Sequence, residues 1–446
     1  MKRKGLTSIT SNIKERLVQQ ALERRLRRVE QPDPVKREPG KAADVPEKFY
    51  RFRLHPDYQQ LRIIEDGAAK LGVLNPYFKV HDGIAGVTTR IDGREYLNFA
   101  SYNYLGLCGD PRVSQAAKAA IDRYGTSVSA SRLVAGERAI HRALERAIAD
   151  AYEVDDAVAF VSGHATNVSV IGYLFGPKDL VLHDALIHNS ALQGIRLSGA
   201  HRLPFPHNEW AALDAMLADK RHQFERVLIV VEGIFGMDGD HPDLPRLIEI
   251  KRKHRAFLMV DEAHSFGVMG GTGLGIREHF GLKGADVDIW MGTLSKALAS
   301  CGGFVAGETA LIEHLKFLAP GFLYSVGMPA PAAAAALAAL ECMRAEPARV
   351  ATLRQRSLLF RNEARAAGID VGSSAGFAVV PAITGKSVSA VRLFHALLKR
   401  GIHAQPILYP AVPEKSARLR FFINSGHTEE QIIEAVRVLR EETAQV

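Results

Sequence analysis

From about Ala157 to Gly307, short apolar, β-rich runs alternate with stretches of helical periodicity, and no other feature constrains the fold as tightly. The runs are Ala157–Ser162, Leu180–His183, Val227–Glu232, Phe257–Asp261, Val287–Met291 and Gly303–Ala306, separated by amphipathic stretches such as Glu209–Lys220 and Leu244–His254. Such alternation predicts a largely parallel sheet covered by helices on both faces, because a parallel crossover needs a connection long enough to hold a helix. Ligands of these sheets bind beyond the C-terminal ends of the strands. There the chain places Ser162-Gly163-His164, His183-Asp184, Glu232, Asp261-Glu262-Ala263-His264 and Gly292-Thr293-Leu294-Ser295-Lys296. Five polar strand ends facing one crevice are more than loop chemistry requires.

The length of 446 residues and a hydrophobic content of 47% are enough to bury the core of a two-domain globular enzyme. Cys108, Cys301 and Cys342 are too few and too scattered for a disulfide framework or a zinc site, so a reducing, cytoplasmic setting is expected and no metal. The apolar run Pro329–Ala339 is alanine-rich and falls short of the roughly 20 residues a membrane span needs, which predicts a buried helix. Met1, Lys2, Arg3 and Lys4 are followed by no apolar h-region, so no secretory signal is expected. The formal net charge of +8 resolves on inspection into a tail. Residues 1–41 hold twelve Lys/Arg and five Asp/Glu, net +7, and leave net +1 for the rest. Val18, Leu22, Leu26 and Val29 fall at helical spacing among arginines before Pro32 and Pro34, which reads as a short basic amphipathic helix and a linker. An acidic acyl carrier protein, an anionic membrane face or a purely solubilising role fits this tail; nucleic acid does not, since the tail has no aromatic residue for stacking.

Three constellations carry chemistry. Lys296 follows the run Val287–Met291 among small and hydroxyl residues. A lysine is ordinarily a solvated charge, but at a buried strand end desolvation lowers its pKa and makes the amine nucleophilic. Asp261 ends the run Phe257–Asp261 about 35 residues earlier; it suits a helix N-cap, and equally the carboxylate that keeps a pyridine nitrogen protonated. Ser162-Gly163-His164 opens a helix, where free N–H groups bind phosphate and glycine permits close approach. His164 fits a position over a cofactor plane or a plain capping role. Together these point to pyridoxal 5'-phosphate (PLP) carried as a Schiff base on Lys296.

The runs Ser101–Leu107, Gly125-Thr126-Ser127, Glu232–Gly239, Asp261–Ser265, Gly292–Lys296 and Leu419-Arg420 to His427-Thr428 resemble, in order, the α-oxoamine synthase family, over roughly Arg53 to Glu442. The resemblance implies a type I PLP-dependent transferase fold: a tail and linker over 1–45, an N-terminal segment over 46–100, a large PLP-binding domain over 101–326 and a smaller α+β C-terminal domain over 327–446. It implies a decarboxylative Claisen condensation of an amino acid with an acyl-CoA or acyl carrier protein thioester, giving an α-amino ketone, carbon dioxide and free thiol. By matching position, Lys296 would bind PLP and then take the Cα proton, Asp261 would pair with the pyridinium nitrogen, and His264 would bond the phenolic oxygen. His164 would stack on the ring, and His188 would lie near the thioester. Ser162, Gly163, Thr293, Ser295 and, in a homodimer, Ser325 of the partner subunit would hold the phosphate. Arg420, helped by Asn103, would take the substrate carboxylate.

Two positions depart from the family's pattern: Gly236 stands where serine is usual, and Ala299 where glycine is common. Gly270-Gly271-Thr272-Gly273-Leu274-Gly275 lacks the spacing of a dinucleotide fingerprint and is expected to be a flexible loop over the active site. The run Gly125–Glu137, with Ser101–Leu107, looks most like serine palmitoyltransferases and synthases attached to polyketide pathways. A long-chain acyl donor with serine, glycine or alanine is therefore the leading expectation, at the cytoplasmic side or the inner face of a membrane. The alternatives are 8-amino-7-oxononanoate synthase of biotin synthesis and a type I aminotransferase.

Overall fold

The computed structural model describes residues 45–445 except 71 and 73, so the basic tail over residues 1–41 lies outside the described residues. The chain divides into two compact units, with the boundary between Lys79 and Val80. In the first, helix α1 (Pro56–Lys70) follows two short turns, Glu47–Phe49 and Phe52–Leu54, and buries none of its residues.

The second unit opens with an antiparallel ribbon of β1 (His81–Asp82), β2 (Thr88–Ile91) and β3 (Arg94–Asn98). Helices α2 (Pro111–Tyr124) and α3 (Ala139–Tyr152) follow. Asp110 caps α2 by accepting from Arg112 N, with Pro111 at the first helical position. The chain then alternates through β4 (Asp156–Phe160), α4 (Gly163–Leu174), β5 (Leu180–Asp184), α5 (Asn189–Ser198), β6 (His201–Phe205) and α6 (Trp210–Lys220). It continues through β7 (Val227–Glu232), α7 (Leu244–His254), β8 (Phe257–Asp261), α8 (Gly275–His279), β9 (Ile289–Thr293) and β10 (Gly303–Gly307). Helices α9 (Thr309–Leu318), α10 (Pro320–Leu323), α11 (Ala330–Ala345) and α12 (Ala348–Ala366) come next. The last elements are β11 (Val379–Gly385), α13 (Ser387–Lys399), β12 (Ile402–His403), β13 (Gln405–Ile407), β14 (Ala417–Phe422) and α14 (Glu429–Thr443).

Seven strands form the central sheet in the order β4-β10-β9-β8-β7-β5-β6. The five from β9 to β6 run parallel, and β10 alone runs antiparallel to both neighbours. Every residue of β7 is buried, as expected for a strand with helices on both faces. Each of its aliphatic side chains contributes about 1.5–3 kcal/mol on leaving water. A smaller antiparallel sheet, β11-β14-β13, forms near the C-terminus, and β12 pairs with β3 in parallel, which ties the late part of the second unit to its opening ribbon. The alanine-rich run forms α11, whose small side chains let it pack closely on α2 and α3. Among the described residues no helix is long and apolar enough to cross a membrane.

The structure corrects three expectations. His201–Phe205 is an edge strand, hidden in the sequence by His201, Arg202 and Pro204; an edge tolerates proline because only one side of it is paired. Strand β9 lies two residues later than expected, because its ladder is set by β10: Thr293 faces Gly303 and Gly292 faces Phe304. The Gly270–Gly275 loop is pinned rather than loose. Glu278 accepts from Thr272 N at 2.9 Å, Thr272 Oγ1 at 2.9 Å and Leu274 N at 2.9 Å. A Cβ at Gly273 would meet Val350 and Met343, so the loop lies against α11 and α12.

Candidate active site

The C-terminal ends of β5, β7, β8 and β9 carry Asp184, Glu232, Asp261 and Thr293 along one edge of the sheet. Lys296 follows on an arch closed by hydrogen bonds to its far side: Leu294 N donates to Gly302 O at 2.9 Å, and Thr293 Oγ1 to the same oxygen at 3.0 Å. Ser295 Oγ accepts from Gly302 N at 3.2 Å, so this hydroxyl braces the arch. Burial pushes the Lys296 amine down to about 8, against the pull of Asp261 and Glu232 and with the push of Arg420. The Nζ atom lies 5.4 Å from the centre of the Tyr102 ring.

Asp261 is buried, and each of its oxygens has a donor: Ala263 N at 2.9 Å and Asn167 Nδ2 at 2.8 Å. The same Asn167 amide nitrogen reaches Ser190 Oγ at 2.9 Å, and Ser190 Oγ lies 2.7 Å from His188 Nδ1. A polar chain therefore runs from His188 to Asp261 through α5 and α4. Glu232 is the register partner of Asp261 on β7. Burial, and then the charge of Asp261, push its carboxyl up to about 8, while Gly236 N donates to it at 3.2 Å. Partial desolvation, with the charges of Lys296, His164 and Arg420, lowers the His188 imidazole against the opposing pull of Asp261.

His264 lies buried after β8, with its Nδ1 2.7 Å from the Tyr104 hydroxyl. Arg420 reaches the crevice from β14, where side-chain alternation puts Leu419 and Phe421 into the core on the other face. Its Nη1 donates to Gly236 O at 2.8 Å and its guanidinium lies 4.5 Å over the Phe422 ring, but Nε is buried without a partner among the described residues. At the start of α4, Ser162 caps the helix by accepting from Ala165 N, and His164 is exposed. A Cβ on Gly163 would come 2.9 Å from Thr293 Oγ1, so glycine is what lets this helix start abut the lysine arch.

Lys296, Asp261, His264, His188, His164 and Arg420 thus converge, with Ser162, Gly163, Thr293 and Ser295 beside them. Two residues stand apart. Asn103 spends its side chain on backbone groups, donating to Ala85 O in the β1–β2 loop at 2.9 Å and accepting from Cys108 N at 3.1 Å. Ser325 lies in an exposed segment, and its hydroxyl donates to Val326 O at 3.1 Å. Asn167, Glu232 and Tyr104 were not singled out for roles here, although Asn167 falls one helical turn after His164, a spacing that puts both on one helix face. The donor set fits PLP: a buried carboxylate at a strand end for a ring nitrogen, the first-turn amides of α4 that the Ser162 cap leaves over for a phosphate, and an amine of lowered pKa in the same crevice.

The family model for class I and II aminotransferases matches residues 94–439. The 8-amino-7-oxononanoate synthase of Symbiobacterium thermophilum is 41% identical over 346 residues, covering 78% of this chain and 88% of its own. The serine palmitoyltransferase of Sphingomonas wittichii superposes with a TM-score of 0.83 at 28% identity, covering 87% of this chain and 98% of its own. A second serine palmitoyltransferase structure, described as holding PLP as an internal aldimine, also gives a TM-score of 0.83, at 26% identity over 87% of this chain and 98% of its own. With the sheet topology and the lysine arch, these likenesses show that the chain belongs to the α-oxoamine synthases, PLP-dependent acyltransferases of the type I fold.

Proposed function

We propose that the chain joins alanine to the thioester of a seven-carbon dicarboxylic acid, releasing carbon dioxide and free thiol and forming 8-amino-7-oxononanoate. The product's name gives the substrates: carbons 8 and 9 are alanine without its carboxyl, and carbons 1–7 are the diacid. Several curated relatives carry that synthase's name, which supports this reading over the long-chain acyl donor of the serine palmitoyltransferases.

The observation that carries the reaction class is the buried, unpartnered Nε of Arg420 in the same crevice as Lys296 and Asp261. Bound PLP supplies the electron sink that lets a Cα proton leave an amino acid at neutral pH. Lys296, Asp261, His264, His164, Ser162, Gly163 and Thr293 would hold it. Lys296 Nζ, its pKa brought down to about 8, holds and releases a proton near neutrality and so serves as the base for the Cα proton. Burial and the neighbouring Asp261 carboxylate raise the Glu232 carboxyl, which favours its protonated form beside Lys296. Arg420 fixes the amino acid by its carboxylate, the group that departs as carbon dioxide once the new carbon–carbon bond has formed. His188, linked to Asp261 through Ser190 and Asn167, would meet the thioester carbonyl. A homodimer would add Ser325 of the partner subunit to the phosphate site.

Purified protein with PLP is offered alanine, serine or glycine, each with dicarboxylic or long-chain acyl thioesters, and free thiol and product mass are read. Thiol release fastest with alanine and the diacid thioester supports the proposal. Preference for serine with a long-chain donor would return the reading to serine palmitoyltransferase, and turnover without thiol release would mean a transaminase.

A further inference from the structure

We propose that Tyr104 is a positioning residue that holds His264 as its Nε2–H tautomer, and that Gly236 supplies the space in which the ring takes this pose. Of the reading above, only the identity of what the Nε2–H meets, the phenolic oxygen of PLP, is assumed.

The argument begins with two buried groups that must share one hydrogen bond. Tyr104 is fully buried, and among the described residues its hydroxyl bonds to His264 Nδ1 at 2.7 Å. Burial drives the tyrosine pKa well above its usual value, so the O–H keeps its proton. Burial, with the charges of Lys296, Arg420 and His188, drives His264 well below its usual value, so the imidazole is neutral and has one donor and one acceptor nitrogen. If Nδ1 carried the proton, the Tyr104 hydrogen would be a buried donor without an acceptor. With the tyrosine donating to Nδ1, both groups are satisfied and the ring's proton is forced onto Nε2.

The direction of that proton follows from Gly236. A Cβ there would overlap His264 Nε2 and stand 2.7 Å from Cδ2. Nε2 therefore occupies the place a side chain at 236 would take, on the side where Arg420 Nη1 meets Gly236 O. The imidazole stands where the family's usual serine would begin, and its Nε2–H replaces a hydroxyl donor at that position. Any side chain at 236 must push the ring off this line and away from Tyr104.

Isotope-edited histidine NMR on the protein, with and without PLP, reads the tautomer directly, using His264→Asn to assign the resonance. A protonated Nε2 and bare Nδ1 are expected, and a protonated Nδ1 would overturn the proposal. In the PLP-loaded protein, a donor on the ring oxygen draws electron density from the conjugated nitrogen, and losing it lets that nitrogen hold its proton to higher pH. Tyr104→Phe should thus raise the pH midpoint of the visible band by about one unit and lower kcat about tenfold, with KM for the amino acid within about twofold. Gly236→Ala should shift the band the same way with the tyrosine intact. An unmoved band in both variants would also overturn the proposal. Failure to take up PLP would sink the proposed function alone, because the tautomer is still read in the unloaded protein.

Discussion

Ala299 closes the lysine arch, its N–H donating to Lys296 O at 3.0 Å, with φ at +51°, where an L side chain crowds its own backbone. The methyl departs from the glycine usual in relatives and sits in a strained turn. Ala299→Gly is expected to raise stability by about 0.5–1 kcal/mol, because the relief of strain exceeds the freedom glycine adds to the unfolded chain; urea unfolding reads the sign. At Arg420, lysine keeps the charge but cannot form the two-pronged bond. Arg420→Lys should raise KM for the amino acid by about tenfold and KM for the acyl donor far less, as steady-state kinetics would show. Lys296, Asp261 and His164 were legible at this scale because their types are informative beside strand ends, whereas His264, His188 and Arg420 were legible only through the family resemblance. Tyr104, Asn167 and Glu232 were not, since a tyrosine, an asparagine or a glutamate acquires its role only from what tertiary packing puts against it.

Between elements, His207 ties the end of β5 to the loop after β7: its Nδ1 lies 2.8 Å from Asp184 and its Nε2 2.9 Å from Asp240, and Ser373 Oγ donates to the same Asp240 oxygen at 2.9 Å. Burial opposes the charge on this imidazole, but the two carboxylates overcome it and raise its pKa to about 10. The stabilisation is complete below the ordinary histidine range, near 6.5, and is lost as pH rises through about 10. The stability gap between the parent chain and His207→Gln should therefore narrow steadily from pH 6.5 to 10 in thermal melts. Neither carboxylate is near His207 in sequence, so this rivet could not be read in advance. Strands β7 and β8 could, to the residue, because each is an unbroken apolar run ending in a carboxylate. The boundaries of β9 could not, because its pairing partner β10 sets them, and the glycine-rich loop misled because Glu278, four residues after Leu274, pins it.

For the whole molecule, charge is divided unevenly, net +7 in residues 1–41 against net +1 elsewhere. A positive tail speeds encounter with an acidic surface and is screened by salt. Deleting residues 1–41 should leave KM for acyl-CoA nearly unchanged and raise KM for an acyl carrier protein substrate, with the difference fading as ionic strength rises; equal kinetics at low salt would exclude docking of this kind. The reversed strand β10 has a consequence of another sort. It faces β4 from Gly303 opposite Phe160 and β9 from Gly303 opposite Thr293, so a single residue is the common reference for the helix start at Ser162-Gly163 and for the lysine arch. One added residue in β10 would turn every following side chain to the opposite face, and a side chain at Gly303 would press on Thr166 and on the backbone of Gly163 at the helix start. This short strand is therefore a place where the chain is held to both its length and its first letter.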